Sequence, residues 1–240
     1  MKAKVVAIHS MLFRKGLISQ RHILPAAKLV EIPPGVDFSL INHVKKNIKK
    51  NLFKNSIRIG FIGTLFWWQG VDILAQAIIL LKKRIPNLKL VIIGDGPLRS
   101  LVERICKKHN LSYEVTGFLS HEEALKHAAT LDILVLPRKR TLTTELNIPI
   151  KVVEAWALGI PVIITRHKVF LKKGLRDREH VLYCEPDPRD IAEKILLLLK
   201  DAQLRKNLVE NGLKVAKEFN YDRIAKMLLN ALNFKLPSAF

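Results

Sequence analysis

Apolar positions along residues 57–233 alternate between short continuous runs and longer stretches in which they recur every three or four residues. The short runs are typical of buried strands, and the periodic stretches are typical of helices. The predicted strands are residues 57–62, 88–93, 113–116, 133–136, 161–165 and 181–184, and the predicted helices are residues 71–84, 98–109, 122–129, 150–158, 187–200, 203–218 and 221–233. This alternation predicts an α/β fold with an open parallel sheet, helices on both faces and a ligand crevice at the carboxyl ends of the strands.

The first 56 residues fit this alternation poorly. Residues 4–8 and 29–32 are predicted strands, and residues 11–18 are a predicted short helix. Residues 38–56 are polar and rich in lysine and asparagine, which indicates a linker. The predicted division of the chain is residues 1–37, a polar linker at 38–56, the main domain at 57–220, and a carboxyl-terminal helix and tail at 221–240.

Composition narrows the class of protein. The chain has 240 residues and 49% hydrophobic residues, enough for a sizeable core. No apolar run approaches the roughly 20 residues of a membrane span, and the amino terminus lacks the features of a signal peptide. Cys106 and Cys184 are far apart in the sequence and are interpreted as reduced core thiols of a cytoplasmic protein. The net charge of +20 favours phosphates, anionic lipid surfaces or nucleic acid without choosing among them.

The segment TELNIPIKVVE at residues 144–154 carries the clearest chemistry. Lys151 and Glu154 fall in the first turns of a predicted apolar helix, and Glu145 lies just before it. Phosphate-bearing ligands bind at helix N-termini beside the carboxyl ends of strands. A glutamate there repels a pyrophosphate but accepts hydrogen bonds from sugar hydroxyls. Lysine for phosphate and glutamate for sugar together indicate a nucleotide-sugar site.

A series of motifs then runs along nearly the whole chain. The motifs are VEIPPGVD at residues 30–37, GFIGTLFWWQGVD at 60–72, LVIIGDGP at 90–97, TGF at 116–118, DILVLP at 132–137, EAWALGIPV at 154–162 and FNYDRIA at 219–225. In this order they resemble the carboxyl-terminal half of GT-B glycosyltransferases of the retaining family GT4, also called group 1. The resemblance implies a Rossmann-like donor-nucleotide-binding domain, which is half of a GT-B fold.

The resemblance also implies roles for individual residues. Glu154 matches the second glutamate of the family's E-x7-E motif, which holds the nucleotide ribose. The loop from Gly63 to Gly70 is expected to line the donor diphosphate, and residues 94–97 and 118–120 are expected near the base. The implied donor-binding residues are Gly63, Thr64, Trp68, Gln69, Gly70, Gly94, Gly96, Phe118, Arg138 and Glu154, and the candidate catalytic residues are Glu145 and Lys151. The donor is expected to be a UDP-, GDP- or ADP-linked sugar, with no cofactor and no metal.

Three features depart from the family pattern. The first glutamate of E-x7-E is expected at position 146, which holds leucine, and Glu145 lies one residue away. The usual arginine and lysine of the diphosphate loop are replaced by Thr64 and Gln69, so the cations must come from Lys151, Arg138, Lys139 or helix N-termini. Only about thirty residues precede the segment at 30–37, where the family has a whole acceptor domain. Residues 1–37 are therefore interpreted as a remnant of that domain, in a fragment, a truncated reading frame or one subunit of a split enzyme.

The leading hypothesis is a retaining, metal-independent glycosyltransferase that acts on a hydroxyl acceptor in polysaccharide or lipopolysaccharide synthesis. The alternative is a non-catalytic nucleotide-sugar-binding module that needs a separate amino-terminal partner chain. A basic protein that binds membrane surfaces or nucleic acid is less favoured, because no nucleic-acid motif is present. A lipid-linked acceptor would bring peripheral contact with the inner face of the membrane, and self-association through exposed surface is compatible with the sequence. A nicotinamide-dependent dehydrogenase fits poorly, because the glycine fingerprint is incomplete.

Some residues near the motifs have two interpretations. Trp67 and Trp68 are either hydrophobic anchors at an interface or walls of the sugar pocket. His121 and His127 fall on a predicted short helix and are interpreted as surface histidines rather than catalysts.

Overall fold

The computed structural model describes residues 5–8, 28–48 and 55–232. Strands β1 (Val5–Ile8) and β2 (Lys28–Glu31) form a separate parallel pair. The predicted helix at 11–18 and the tail beyond residue 232 lie outside the described residues.

The main sheet has six parallel strands in the order β5-β4-β3-β6-β7-β8. The strands are β3 (Ile57–Ile62), β4 (Leu88–Ile93), β5 (Ser112–Val115), β6 (Ile133–Leu136), β7 (Val162–Thr165) and β8 (Leu182–Cys184). Strands β4, β6 and β7 consist mainly of buried aliphatic residues, because helices cover both faces of a doubly wound sheet. The predicted Rossmann-like fold is confirmed.

Ten α-helices accompany the sheets in the described part of the chain. They are α1 (Phe38–Asn47), α2 (Val71–Lys82), α3 (Arg99–Lys108), α4 (His121–Ala128), α5 (Leu142–Leu146), α6 (Ile150–Leu158), α7 (Lys168–Lys172), α8 (Pro188–Lys200), α9 (Ala202–Lys217) and α10 (Tyr221–Ala231). Helix α2 packs against α3 and α8, and α6 packs against α1, α4 and α9.

Part of the segment predicted as a linker at 38–56 is helical. Asp37 caps α1 by accepting hydrogen bonds from the backbone N–H groups of Ser39 and Leu40. Ile41 and Val44 are buried where α1 contacts α4 and α6. These apolar residues recur at helical spacing, and the many lysines and asparagines around them concealed the pattern. The division of the chain into domains remains a prediction.

The strand order changes direction between β3 and β6. From β3 the chain adds β4 and β5 on one side, and then returns to add β6, β7 and β8 on the other. The connections that leave β3 and β6 therefore run to opposite sides of this point, and the crevice of a doubly wound fold lies at the carboxyl ends of these two strands. Ligands of open α/β sheets bind at such a switch point.

Candidate functional site

Glycines allow three loops to meet at the switch point. Gly63 follows β3, Gly94 follows β4, and both have positive φ, +148° and +139°. A Cβ on Gly94 would overlap the carbonyl oxygen of Gly63, and a Cβ on Gly70 (φ +73°) would overlap that of Pro137. Larger residues would push these loops apart, so the sequence dictates the close approach of the loops after β3, β4 and β6.

Two cations, the buried Arg138 and the half-buried Lys151, lie beside this junction. Arg138 follows β6 and is 8% exposed, and its Nε and Nη1 have no hydrogen-bond partner among the described residues. Burial lowers the pKa of Arg138 to about 10, so the guanidinium stays charged at neutral pH. Burial, and then the charge of Arg138, also lower the pKa of Lys151. The Lys151 Nζ lies 2.7 Å from the position that a Cβ on Gly63 would take.

No carboxylate in the described ranges forms a salt bridge with either cation. Glu154 is the acidic residue whose charge acts on Lys151, and it opposes the lowering of the Lys151 pKa. Buried charges are costly unless they are paired. Two neighbouring cations, of which Lys151 lies against the Gly63 loop, therefore form a site suited to an anion that brings its own charge.

Glu154 lies one helical turn beyond Lys151 on α6, so both side chains share a face of that helix. Glu154 is 9% exposed. Its Oε1 lies 2.7 Å from His121 Nε2, on the first residue of α4. A buried carboxylate in this position is able to accept hydrogen bonds from hydroxyl groups of a bound ligand.

Glu145 faces away from this pair. It lies on the short helix α5, and its Oε2 accepts a hydrogen bond of 2.7 Å from the backbone N–H of Lys168 at the start of α7. Its Oε1 lies 3.4 Å from Nδ1 of the fully buried His167. Partial burial raises the pKa of Glu145, but the hydrogen bonds from Lys168 and His167 lower it further, so the pKa lies below its usual value. Both of its oxygens are occupied within the protein.

Aromatic side chains border the crevice on the β3 loop. Phe66 and Trp68 stack with their ring centroids 4.5 Å apart, and Trp67 packs edge-on against Trp68. The carbonyl of Trp68 accepts a hydrogen bond of 2.8 Å from the backbone N–H of Lys139, which joins the β3 loop to the β6 loop. Lys139 Nζ lies 5.7 Å from the centroid of Trp67. Trp67 is 56% exposed, so its ring is available to a partner or ligand.

The remaining predicted donor-binding residues lie on the same loops. Thr64 and Gln69 are half-buried within the β3 loop, where the Gln69 N–H donates to the Phe66 carbonyl. The Gly96 N–H donates to Asp95 Oδ1 at 2.8 Å. Phe118 follows β5 and is 78% exposed. The structure thus gathers Gly63, Gly70, Gly94, Arg138, Lys151 and Glu154 around one crevice.

Sequence reasoning missed two histidines. His121 was predicted to be a surface residue, and its side chain is indeed 59% exposed, but it contacts the buried Glu154. Its position directly after a glycine-containing turn at the carboxyl end of β5 was the available signal. His167 follows β7 and is fully buried, with no hydrogen-bond partner for Nε2 among the described residues. Burial, reinforced by Arg138 and Arg140 and opposed by Glu145, lowers the pKa of His167.

The described residues contain neither a metal-binding cluster nor a membrane-spanning helix. No group of three or more His, Cys, Asp or Glu side chains there is arranged to hold a metal ion. Among the helices in the same ranges, none combines the length and the apolar character that a membrane span requires.

Comparison with known proteins shows that the chain matches a protein family. The family profile described as glycosyl transferases group 1 matches residues 44–215. An uncharacterized glycosyltransferase of Methanocaldococcus jannaschii is 33% identical over 186 residues, which cover 77% of this chain and 50% of that protein. A phosphatidylinositol N-acetylglucosaminyltransferase subunit of Arabidopsis thaliana is 28% identical over 174 residues, 72% of this chain and 36% of that protein. The chain spans about half the length of the curated relatives it matches, or less.

Solved structures support the fold. The crystal structure of Anabaena Alr3699/HepE in complex with UDP and glucose matches with a TM-score of 0.76 at 18% identity, covering 96% of this chain and 63% of that one.

Proposed function

The chain belongs to the group 1 glycosyltransferase family, and from this premise we propose that the crevice between β3 and β6 binds a nucleotide-activated sugar for transfer to a hydroxyl acceptor. The single observation that carries this proposal is the pairing of the buried Arg138 with the half-buried Lys151, whose Nζ lies against Gly63, with no salt-bridging carboxylate for either cation among the described residues. A diphosphate supplies the negative charge that this arrangement lacks, and charge-assisted hydrogen bonds to phosphate are strong.

The same cations have a role in the proposed reaction. The bond between the anomeric carbon and the diphosphate oxygen breaks, and its electron pair moves to the departing diphosphate. Arg138 and Lys151 stabilise that developing charge, as preorganised cations do in other active sites. The acceptor oxygen then bonds to the anomeric carbon, and its proton passes to the departing diphosphate. By family membership we propose that the anomeric configuration is retained and that no metal is used.

Other residues take supporting roles in this proposal. Glu154 accepts hydrogen bonds from the ribose, and the Gly63–Gly70 loop with Thr64, Trp68 and Gln69 surrounds the phosphates and the sugar. In the same proposal Gly94 and Gly96 border the base, and the Phe118 ring, which is exposed, stacks on it. A catalytic role for Glu145 is retained as a prediction, and it requires that carboxylate to release the N–H of Lys168.

The donor is proposed to be linked to UDP, GDP or ADP. UDP is the first to test, because the Anabaena protein of the same fold binds it. The Arabidopsis relative is named for a phosphatidylinositol acceptor. A lipid-linked or polysaccharide acceptor is therefore proposed here, with peripheral membrane contact through the strongly basic surface.

The second candidate function is a donor-binding module that transfers sugar only with a separate acceptor domain. Mixing the chain with the amino-terminal half of a full-length relative and measuring sugar transfer distinguishes the two functions: transfer by the chain alone excludes the module.

Calorimetric titration tests donor binding directly. We expect one of UDP, GDP or ADP to bind with saturation, and Lys151→Met to weaken that binding by about 10- to 100-fold, because a charge-assisted contact to phosphate contributes roughly 1.5–3 kcal/mol. Lys107→Met is the matched control, because Lys107 is exposed in the last turn of α3, at the end of that helix away from the loop that follows β4. Equal affinities of the two variants contradict the assignment of Lys151, and no binding by the wild type contradicts the proposed function.

A further inference from the structure

His121 holds one oxygen of the carboxylate that the proposed function assigns to the ribose. The His121 Nε2 lies 2.7 Å from Glu154 Oε1, and the two side chains are 59% and 12% exposed. The other oxygen, Oε2, has no hydrogen-bond partner in the described part of the chain. Glu154 thus presents one occupied oxygen and one available oxygen at the crevice.

Three helices meet at this contact. Helix α1 packs against α4, which carries His121, and against α6, which carries Glu154. Asp37, the cap of α1, lies near the imidazole ring of His121. The pKa of Asp37 is lowered by hydrogen bonds from the Ser39 side chain and the Leu40 N–H, and to a smaller extent by the charge of His121. Lys151 is the cation whose charge acts on Glu154 from α6 itself.

Acidic neighbours on α4 are occupied elsewhere. Glu122 and Glu123 both pair with Lys126, at 2.9 and 2.8 Å. His121 is therefore flanked by the carboxylates of Asp37 and Glu154, and its short contact is with Glu154.

We propose that His121 is a positioning residue of the ribose subsite: by donating from Nε2 to Glu154 Oε1, it orients the carboxylate so that Oε2 accepts a hydrogen bond from a ribose hydroxyl of a nucleoside diphosphate. This inference rests on the proposed function, because it places Glu154 beside the ribose. It gives a role to a histidine that the sequence predicted to be an ordinary surface residue.

The physical reason is preorganisation. A glutamate side chain has several rotamers, and fixing one of them on ligand binding costs free energy. The hydrogen bond from a ring anchored on a neighbouring helix fixes that rotamer before the ligand arrives. The neutral Nε2–H tautomer and the imidazolium both donate from Nε2, so both forms of His121 perform this role.

Two substitutions at position 121 separate positioning from simple packing. His121→Phe keeps an aromatic ring without a donor, and His121→Gln keeps a donor at similar reach. In calorimetric titrations with UDP, GDP and ADP, we expect His121→Phe to weaken the nucleotide that binds by about 10-fold and His121→Gln to restore most of the affinity. His127→Phe is the matched control, because His127 lies on the same helix but faces Glu114 at 3.3 Å.

Removing single hydroxyl groups from the ribose gives the most direct test. The bound nucleotide is compared with its 2′-deoxy and 3′-deoxy analogues, in a double-mutant cycle between His121 and each hydroxyl. We expect the His121→Phe penalty to disappear with the analogue that lacks the hydroxyl bound by Oε2. An equal penalty with all three ligands, or unchanged or tighter binding by His121→Phe, overturns the inference while leaving donor binding intact. Failure of the wild type to bind any nucleotide overturns the proposed function and the inference together.

Discussion

Replacing Arg138 with methionine should make the unliganded protein more stable while removing most of its nucleotide binding. Burial lowers the pKa of this guanidinium to about 10, a shift that corresponds to roughly 3 kcal/mol of folding free energy at neutral pH. The sign follows from linkage: the group is charged in both states at pH 7, and the folded state disfavours that charge. Methionine fills similar space without the charge, so we expect a gain of about 1–3 kcal/mol and a melting temperature higher by about 2–10 °C.

Thermal unfolding with and without UDP measures both effects in one experiment. A ligand at 100 times its Kd raises the free energy of unfolding by about 2.7 kcal/mol. Loss of the proposed contacts from Arg138 to the phosphates should weaken binding by about 10- to 100-fold, which reduces this increase to about 1.4–0.4 kcal/mol at the same ligand concentration. The neighbouring Arg140→Met, at an arginine whose side chain is 56% exposed, should change neither quantity by more than about 0.5 kcal/mol. A destabilised Arg138→Met protein, or one that keeps the full effect of UDP, refutes the reasoning.

Three further predictions concern the surroundings of the site. Gly94→Ala should destabilise the fold strongly, because its Cβ would overlap the Gly63 carbonyl. Gly174→Ala is the control: Gly174 has φ +72° but no atom within 4 Å of an added Cβ, so its free energy of unfolding in urea should fall by only about 1–2 kcal/mol. The free energy of unfolding should fall from pH 7 to pH 5, because burial lowers the pKa of His167 in the folded protein and the unfolded chain therefore binds the proton more readily. This fall should be smaller in His167→Gln, and parallel pH profiles of the two proteins contradict the prediction. The free energy of unfolding of Glu145→Leu, measured in urea, should be lower by about 1–3 kcal/mol, because the substitution removes the carboxylate that accepts from the backbone N–H of Lys168 at the start of α7.

The central elements were predictable because burial simplifies their sequences. The predicted bounds at 57–62, 88–93 and 133–136 are those of β3, β4 and β6, each a run of mainly aliphatic residues. The short helices α5 and α7 were not predicted, because five residues are too few to show a helical period. Helix α1 was hidden by the surrounding lysines and asparagines, although its buried positions follow the helical period.

The residues of the site were easier to predict than their orientations. The order of motifs indicated that Gly63, Arg138, Lys151 and Glu154 belong to one crevice. That Arg138 would be buried without a carboxylate follows only from the packing of the loops after β3 and β6. The contact from His121 to Glu154 joins two helices 33 positions apart in the sequence, and no local pattern encodes such a contact.

The unusual position of Glu145 has a physical consequence for the charge of the site. One residue along a helix rotates a side chain by about 100° around the axis, so a glutamate at 145 and one at the expected position 146 point in different directions. Here the Glu145 carboxylate binds the N-terminus of α7 and the His167 ring, where its charge offsets none of the charge of Lys151. Among the described acidic residues, Glu154 is the one whose charge acts on Lys151, and one of its oxygens contacts His121. The described side chains at the crevice thus carry net positive charge, and this supports the proposal that a diphosphate binds there.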